Sequence, residues 1–209
     1  MFFSIDGGDG AGKSTQIDRL CQWLASCGHE VVACRDPGST PLGEAIRELL
    51  LNRHDLPIHR RSEMLLYMAA RSQLVEEIIR PALDARKTVV CDRYLLANVV
   101  YQGYGGGLDV EMLWEVGRLA AGDLMPDLTV VLDLPAGEAA ARIRRPLDRM
   151  EQQGVDFRER VRQGFLTEAA RRPGRIAVVD ARGSIDRVAA ETRAAVEAAI
   201  ERSSPARRQ

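Results

Sequence analysis

A glycine-rich segment near the beginning of the chain carries the residue types of a phosphate-binding site. It contains the pattern Gly7-x-x-x-x-Gly12-Lys13-Ser14, which follows a short apolar run and precedes a segment of helical periodicity. The backbone N–H groups of such a loop point at a bound anion, and the lysine reaches the terminal phosphates of a nucleotide. The serine hydroxyl that ends the pattern is a ligand for Mg²⁺. The predicted phosphate contacts are Gly7, Gly8, Asp9, Gly10, Ala11, Gly12, Lys13, Ser14 and Thr15.

The carboxylate of Asp9 inside this loop needs an explanation, because it would repel a bound polyphosphate. It makes sense if Asp9 faces a second substrate, where it can accept from a sugar hydroxyl, orient an arginine or reach a water bound to Mg²⁺. The alternative is a polar turn residue that is present for its backbone angles. The loop therefore predicts either one bound nucleotide or the meeting point of two.

Two later segments that read as strands end in charged residues. Asp36 lies two positions after the segment 30–34, and Asp92 and Arg93 follow the segment 88–91 directly. Arginine suits a phosphate because its planar guanidinium donates two parallel hydrogen bonds. A simple surface ion pair is the alternative for Asp92 and Arg93, and a position at a strand's carboxyl end makes it the weaker one.

The elements that must position these residues alternate between strand and helix. The predicted strands are continuous apolar runs over residues 1–6, 30–34, 88–91, 128–132 and 175–180. Such strands favour an α/β protein whose parallel sheet is covered on both faces. The predicted fold class is a three-layer P-loop NTPase fold, with a five-stranded parallel sheet flanked by helices and a short lid. Ligands of such sheets bind beyond the carboxyl ends of the strands, where Gly7, Asp92 and Asp133 are expected to lie.

Helix ends are marked by a few residues. Gly28 is a predicted stop of the helix that follows the loop. Ser62 is the predicted cap of a longer helix that runs to residue 83, and Pro81 is expected to kink or restart it.

Length and composition exclude several classes of protein. The chain has 209 residues, which predicts one domain over residues 1–202 with a basic lid at about 142–153 and a disordered tail over 203–209. A net charge of −1 gives no argument for nucleic acid as a partner. The four cysteines lack the spacing of a zinc site, and no apolar run has the length of a membrane span. We expect a cytoplasmic protein.

The class of nucleotide-binding protein can be narrowed further. A GTPase usually carries Asn-Lys-x-Asp for guanine, and this motif is absent from the sequence. The short chain also disfavours an ATPase motor. A kinase that acts on a small molecule is the leading interpretation.

Four stretches then resemble one family in the same order. They are "RDPGSTPLGE", "YMAARSQ", "CDRYLLANVVYQG" and "LDRMEQ", and with the loop they closely resemble thymidylate kinase from residue 2 to about residue 195. The resemblance implies transfer of a phosphoryl group from MgATP to dTMP, and it implies a homodimer. It also implies a role for Ser14 and Asp92 in holding Mg²⁺.

The resemblance assigns roles to residues of the acceptor site. It implies that Arg93 grips the acceptor phosphate, that Tyr67 stacks on thymine and that Arg71 bonds O4 of the base. Asn98 would pair with the N3–C4 edge, and Tyr101 would pack beneath the sugar and exclude a 2′-hydroxyl. The whole set of predicted dTMP contacts is Asp9, Asp36, Tyr67, Arg71, Arg93, Asn98, Tyr101, Gln102 and Glu151.

The family has two patterns of catalytic arginine, and the residue after the loop carboxylate distinguishes them. Here that residue is Gly10, which predicts the bacterial-like type whose lid supplies the arginine. Arg144 or Arg145 is the expected arginine, with Arg149 next, and they join Asp9, Lys13 and Arg93 in the predicted catalytic set. Arg182 is expected beside the adenine of ATP.

Some residues depart from the family pattern and keep alternatives open. Asp36 stands where the family usually has Glu, and its shorter side chain could lose a contact to Mg²⁺-bound water or to an arginine. A kinase for another deoxynucleotide or nucleoside is the first alternative. A nucleotide-binding regulator without catalysis is the second.

Overall fold

The sheet is parallel throughout, and the phosphate loop follows its central strand. The computed structural model describes residues 1–143 and 148–203. Within these ranges the strands are β1 (Phe2–Gly7), β2 (Val31–Arg35), β3 (Thr88–Asp92), β4 (Leu128–Asp133) and β5 (Ile176–Asp180). They form one five-stranded sheet in the order β2-β3-β1-β4-β5. The fold class predicted from the sequence is confirmed.

Helices cover both faces of this sheet. Those described are α1 (Lys13–Ser26), α2 (Pro41–Leu51), α3 (Arg60–Leu74), α4 (Arg80–Asp84), α5 (Leu95–Asn98), α6 (Val110–Ala120), α7 (Ala136–Arg142), α8 (Val155–Arg171) and α9 (Ile185–Ser203). Successive strand residues point to opposite faces. Phe2 therefore packs into one core with α3, α6 and α8, while Phe3 packs into another with α1 and α9.

The long helix predicted from residue 62 begins earlier than expected. His59 occupies the N-cap position of α3 in an extended conformation, so the prediction of Ser62 as the cap was wrong. A π-helical segment, Val75–Ile79, continues α3 and leads into α4. Pro81 was expected to kink or restart the helix, and it lies one residue after the change from the π-helical segment to α4.

The described part of the chain contains no helix with the length and apolarity that crossing a membrane requires. Ser203, which was expected to begin the tail, is the last residue of α9.

Candidate active site

The phosphate loop connects β1 to α1 and is shaped by glycines. Gly10 and Gly12 have φ of 86° and 91°, in the left-handed region that favours glycine. A Cβ on Gly10 would also lie 2.2 Å from the carbonyl oxygen of Ala139 in α7, so no other residue fits there without a backbone shift. Lys13 folds back over the loop, and its Nζ donates to the carbonyl of Gly8 at 2.9 Å. The loop thus has the local structure that the sequence pattern predicts.

Asp9 forms the centre of a polar cluster at the carboxyl ends of β1 and β3. Its Oδ1 accepts from a guanidinium N–H of Arg93, and its Oδ2 accepts from the Tyr101 hydroxyl at 2.9 Å. Arg93 also donates to the carbonyl of Gly7 at 2.9 Å and to the Tyr101 hydroxyl at 3.2 Å. Asp9 therefore orients an arginine, which was one of the roles considered for it.

The electrostatics of this cluster keep Asp9 ionised. Burial by itself raises the pKa of the Asp9 carboxyl, but the positive charges of Arg93 and Lys13 outweigh it. The net result is a pKa well below the ordinary value of an aspartate. An ionised Asp9 is thus held between two cations that could otherwise repel each other.

A buried carboxyl lies below the loop. Asp6, on β1, is fully buried, and its Oδ1 has no hydrogen-bond partner. Burial raises the pKa of Asp6 to about 7, against the opposing charges of Arg93 and Lys13. The sequence analysis gave no role to this residue.

An open cleft runs from the phosphate loop to the loop after β5. Its walls are the loop residues 9–16 together with Arg47, Asp92, Arg93, Arg142, Ala181, Gly183, Ser184, Ile185 and Val188. We call it the donor cleft. Arg142 crosses it and donates from both terminal nitrogens to the carbonyl of Ala181, each at 3.2 Å. Arg182, predicted beside adenine, is exposed and bonds Asp180 at 2.9 and 2.8 Å.

A second cleft adjoins the first at Asp9, Arg47 and Arg93. It is lined by these residues and by Asp36, Pro37, Leu51, Tyr67, Arg71, Tyr94, Ala97, Asn98, Tyr101, Gln102, Asp148 and Met150. We call it the acceptor cleft. Tyr67 and Arg71, one turn apart on α3, both face it, as their spacing predicted. The structure thus brings together eight of the predicted dTMP contacts, which are Asp9, Asp36, Tyr67, Arg71, Arg93, Asn98, Tyr101 and Gln102.

Asp36 and Arg71 form a buried ion pair in the acceptor cleft. The Arg71 Nε donates to Asp36 Oδ2 at 2.6 Å, and the two residues are 1% and 3% exposed respectively. The shorter side chain of aspartate therefore still reaches an arginine. The other oxygen, Asp36 Oδ1, is buried without a partner, which leaves it available to a ligand or a water.

A row of hydrogen bonds leads away from Arg71. Its Nη1 donates to Asn98 Oδ1 at 3.1 Å, and Asn98 Nδ2 donates to Gln102 Oε1 at 2.5 Å. Gln102 Nε2 then donates to Glu63 Oε1 at 2.9 Å, and Glu63 Oε2 accepts from Arg149. We call Arg71, Asn98, Gln102 and Glu63 the amide row, and Arg149 contacts its Glu63 end.

The predicted lid arginines differ in what the structure shows. Arg144, Arg145 and the side chain of Glu151 lie outside the described residues. Arg149 is described, and its guanidinium donates to the carbonyl of Leu50 at 2.8 Å and to Glu63. Its guanidinium therefore lies on the α2 and α3 side, against the end of the amide row.

Arg47 is a site residue that the sequence analysis missed. It lies on α2, lines both clefts and donates to the carbonyl of Pro37 at 3.0 Å. Burial, with the nearby charge of Arg35, lowers the pKa of its guanidinium. The available signal was its place between Ile46 and Leu50, on the buried side of an amphipathic helix.

The donor set of the loop fits a magnesium ion. Ser14 lies in the first turn of α1 and lines the donor cleft together with Asp92. Asp92 Oδ1 is buried and has no hydrogen-bond partner, as expected of an oxygen kept for a cation or its water. Among the described residues no group of three acidic, histidine or cysteine side chains could hold a metal ion. The remaining ligands would thus be phosphate oxygens and water, as is usual for Mg²⁺.

The fold and the two clefts define a P-loop protein that binds nucleotide phosphates beside a second ligand. The thymidylate kinase family profile matches residues 5–192. The chain belongs to the thymidylate kinase family.

Individual relatives agree with this assignment. A thymidylate kinase of Rhodopirellula baltica is 50% identical over 93% of this chain and 78% of its own length. A thymidylate kinase of Clavibacter sepedonicus is 48% identical over 93% of each chain. The crystal structure of thymidylate kinase from Ehrlichia chaffeensis superimposes with a TM-score of 0.77 at 31% identity, over 94% of this chain and 98% of that one.

Proposed function

We propose that this chain transfers the γ-phosphoryl group of MgATP to dTMP and releases dTDP and ADP. The observation that carries the proposal is the junction of the two clefts at Asp9 and Arg93. A phosphate-binding loop alone fits many activities, whereas a second cleft that shares its wall fits a transfer between two nucleotides. The family membership of the chain supports thymidylate as the acceptor.

Residues of the donor cleft hold the phosphates of ATP. The loop amides and Lys13 bind the terminal phosphates, and Lys13 exchanges its bonds to the loop carbonyls for bonds to them. Ser14 and Asp92 would hold Mg²⁺, which when bound neutralises charge on the phosphates. We propose that the adenine of ATP binds beside Arg182 and the loop after β5, of which Ala181 and Gly183 line the donor cleft.

Residues of the acceptor cleft hold dTMP. Arg93 binds its phosphate, Tyr67 packs on the base and Tyr101 packs against the sugar. An oxygen of the acceptor phosphate attacks the γ-phosphorus, and the bond to the bridging oxygen of ADP breaks. No strong base is needed because the attacking phosphate is already anionic, so alignment and charge neutralisation carry the catalysis.

Arg47 and Arg142 extend the set of cations around the transfer. Both line the donor cleft, and Arg47 lines the acceptor cleft as well. We propose that they stabilise the charge on the phosphates. Arg144 and Arg145 remain the predicted lid arginines, and the placement of Arg149 favours them over it.

We also propose a homodimer in the cytoplasm. Leu65 on α3 and Leu119 on α6 are 56% and 83% exposed, and these two helices pack against each other. Exposed large apolar side chains on two helices that pack together support a subunit interface there.

A coupled assay of ADP release with a panel of acceptors tests the proposed reaction. We expect turnover with dTMP, and its loss in Lys13→Ala and in Arg93→Ala with little change in melting temperature. Lys87→Ala is the matched control, because Lys87 precedes β3 at the opposite end of the sheet. If dTMP gives no ADP while another acceptor does, the proposal is wrong.

A further inference from the structure

Glu63 lies behind the acceptor cleft and does not line it. Its side chain ends the amide row on α3, with one oxygen on Gln102 and the other on Arg149. It is 6% exposed, so both bonds are shielded from water. Such a carboxylate is costly to bury and calls for a reason.

The two ends of the amide row have opposite chemistry. Arg71 is a donor only, because a guanidinium has no acceptor. Glu63, as a carboxylate bonded to a guanidinium, is an acceptor only. Asn98 and Gln102 lie between them, and each amide can act as donor or acceptor depending on how its group is turned.

Only one orientation of the two amides satisfies both ends. If Gln102 were turned over, its oxygen would face the oxygen of Glu63. If Asn98 were turned over, its NH₂ would face the N–H of Arg71. The buried amides therefore all point the same way, with their oxygens toward Arg71 and their nitrogens toward Glu63. Chemistry at the two ends determines this assignment.

This polarity has a consequence for the base that is bound. A 4-oxopyrimidine presents a donor at N3 and an acceptor at C4, and a 4-aminopyrimidine presents the reverse. The fixed oxygen of Asn98 can accept from N3–H, and Arg71 can donate to O4. A site built to make such bonds rejects the reversed pattern strongly, because its polar groups would be left unpaired.

We propose that Glu63 is a positioning residue that fixes the polarity of Asn98 and Gln102 and thereby selects 4-oxopyrimidine nucleotides against 4-aminopyrimidine nucleotides. The inference depends on the proposed function, since it concerns the acceptor of that reaction. Glu63 itself touches no substrate. It acts through the side chains of Asn98 and Gln102. Glu63 fixes their orientation from one end of the amide row, and Arg71 fixes it from the other end.

The test compares dTMP, dUMP and dCMP as acceptors for the wild type and Glu63→Gln. Glutamine has nearly the same shape but can donate as well as accept, so one end of the row loses its fixed polarity. We expect the preference for dTMP over dCMP, as a ratio of kcat/KM, to fall about tenfold, the scale of one hydrogen bond. The ratio of dTMP to dUMP should stay unchanged, because these two share the 4-oxo edge.

Two further variants sharpen the test. Gln102→Met keeps the size of the side chain but interrupts the row, and it should lower the same ratio even if Glu63→Gln folds poorly. Glu76→Gln is the matched control on an exposed glutamate whose ion pair is with Arg80, and it should leave all ratios unchanged. Equilibrium binding of the three nucleotides without ATP should show the same loss of selectivity.

The outcomes separate this inference from the proposed function. A wild type that does not phosphorylate dTMP would contradict the proposed function. A selective wild type whose Glu63→Gln and Gln102→Met variants keep the ratio of dTMP to dCMP would overturn the role of Glu63. An equal loss with all three acceptors would also overturn it, because that pattern indicates a structural role only.

Discussion

Arg93 reaches Asp9 from a left-handed backbone conformation, with φ of 65° at the carboxyl end of β3. Such a conformation is uncommon for a residue other than glycine and costs free energy. It allows the Arg93 guanidinium to touch Asp9, the Gly7 carbonyl and the Tyr101 hydroxyl together. The arginine that we propose to hold the acceptor phosphate is thus held in place by the donor loop.

The planar geometry of the Arg93 guanidinium is predicted to contribute more to kcat/KM than its positive charge. In Arg93→Lys the cation remains, but the contacts to Asp9 and Gly7 no longer come from two nitrogens of one planar group. We expect kcat/KM for dTMP to fall about 100-fold or more, as when a donor to transition-state charge is removed. Steady-state kinetics would measure this. Arg187→Lys, on the exposed ion pair with Glu191, should be neutral, and equal kinetics in both variants would refute the assignment.

The Tyr101 hydroxyl is predicted to support Asp9 and Arg93. Tyr101→Phe keeps the ring, over which Arg93 stacks at 5.0 Å, but leaves Asp9 Oδ2 without its partner. We expect kcat/KM for dTMP to fall about tenfold. Tyr104→Phe is the matched control, because the Tyr104 hydroxyl bonds Glu168 outside both clefts. A larger kinetic effect from Tyr104→Phe would show that the cluster around Asp9 is not what matters.

The close approach of Gly10 to α7 predicts that one added methyl group at position 10 lowers the stability of the fold strongly. Gly10→Ala places a Cβ against the Ala139 carbonyl in a left-handed conformation, so we expect a loss of at least about 2 kcal/mol of stability. Gly137→Ala in α7 has open space and should be neutral or stabilising by up to about 1 kcal/mol. Urea unfolding of the two variants measures both values, and similar stabilities would contradict the described loop geometry.

Asp6 is predicted to make stability depend on pH. Its pKa is higher in the folded chain, at about 7, than its ordinary value of 3.8. The folded state therefore holds this proton more tightly than the unfolded state, and stability falls as pH rises through that window. In Asp6→Asn this dependence is removed. The difference in melting temperature, variant minus wild type, should therefore increase by several degrees from pH 5 to pH 8. A constant difference across this range would show that Asp6 is ionised in the folded chain throughout.

Most of the fold could be predicted from the sequence because apolar runs and glycines determine the strands, helices and turns in which they themselves lie. The strand at β1, the loop after it and the helical face shared by Tyr67 and Arg71 follow from spacing alone. The start of α3 at Arg60 could not be predicted in this way. His59 lacks the side chain of a usual N-cap, and only its extended backbone conformation marks the beginning of the helix.

The missed residues depend on contacts between distant parts of the chain. Glu63 lies on a helix among other charged residues, where a solvated face is the ordinary interpretation. Its role depends on Gln102 and Arg149, which only the packed structure brings to it. Arg47 likewise becomes a site residue because it lines the same cleft as Asp92 and Arg93, and its place on the buried side of α2 does not by itself indicate that cleft.

The close approach of Gly10 to Ala139 also limits which side chains position 10 can hold. A basic residue at position 10 would need α7 to retreat first, since even a Cβ lies 2.2 Å from its carbonyl oxygen. A larger residue at position 10 of this chain would therefore take coordinated changes in two separate elements, the loop and α7.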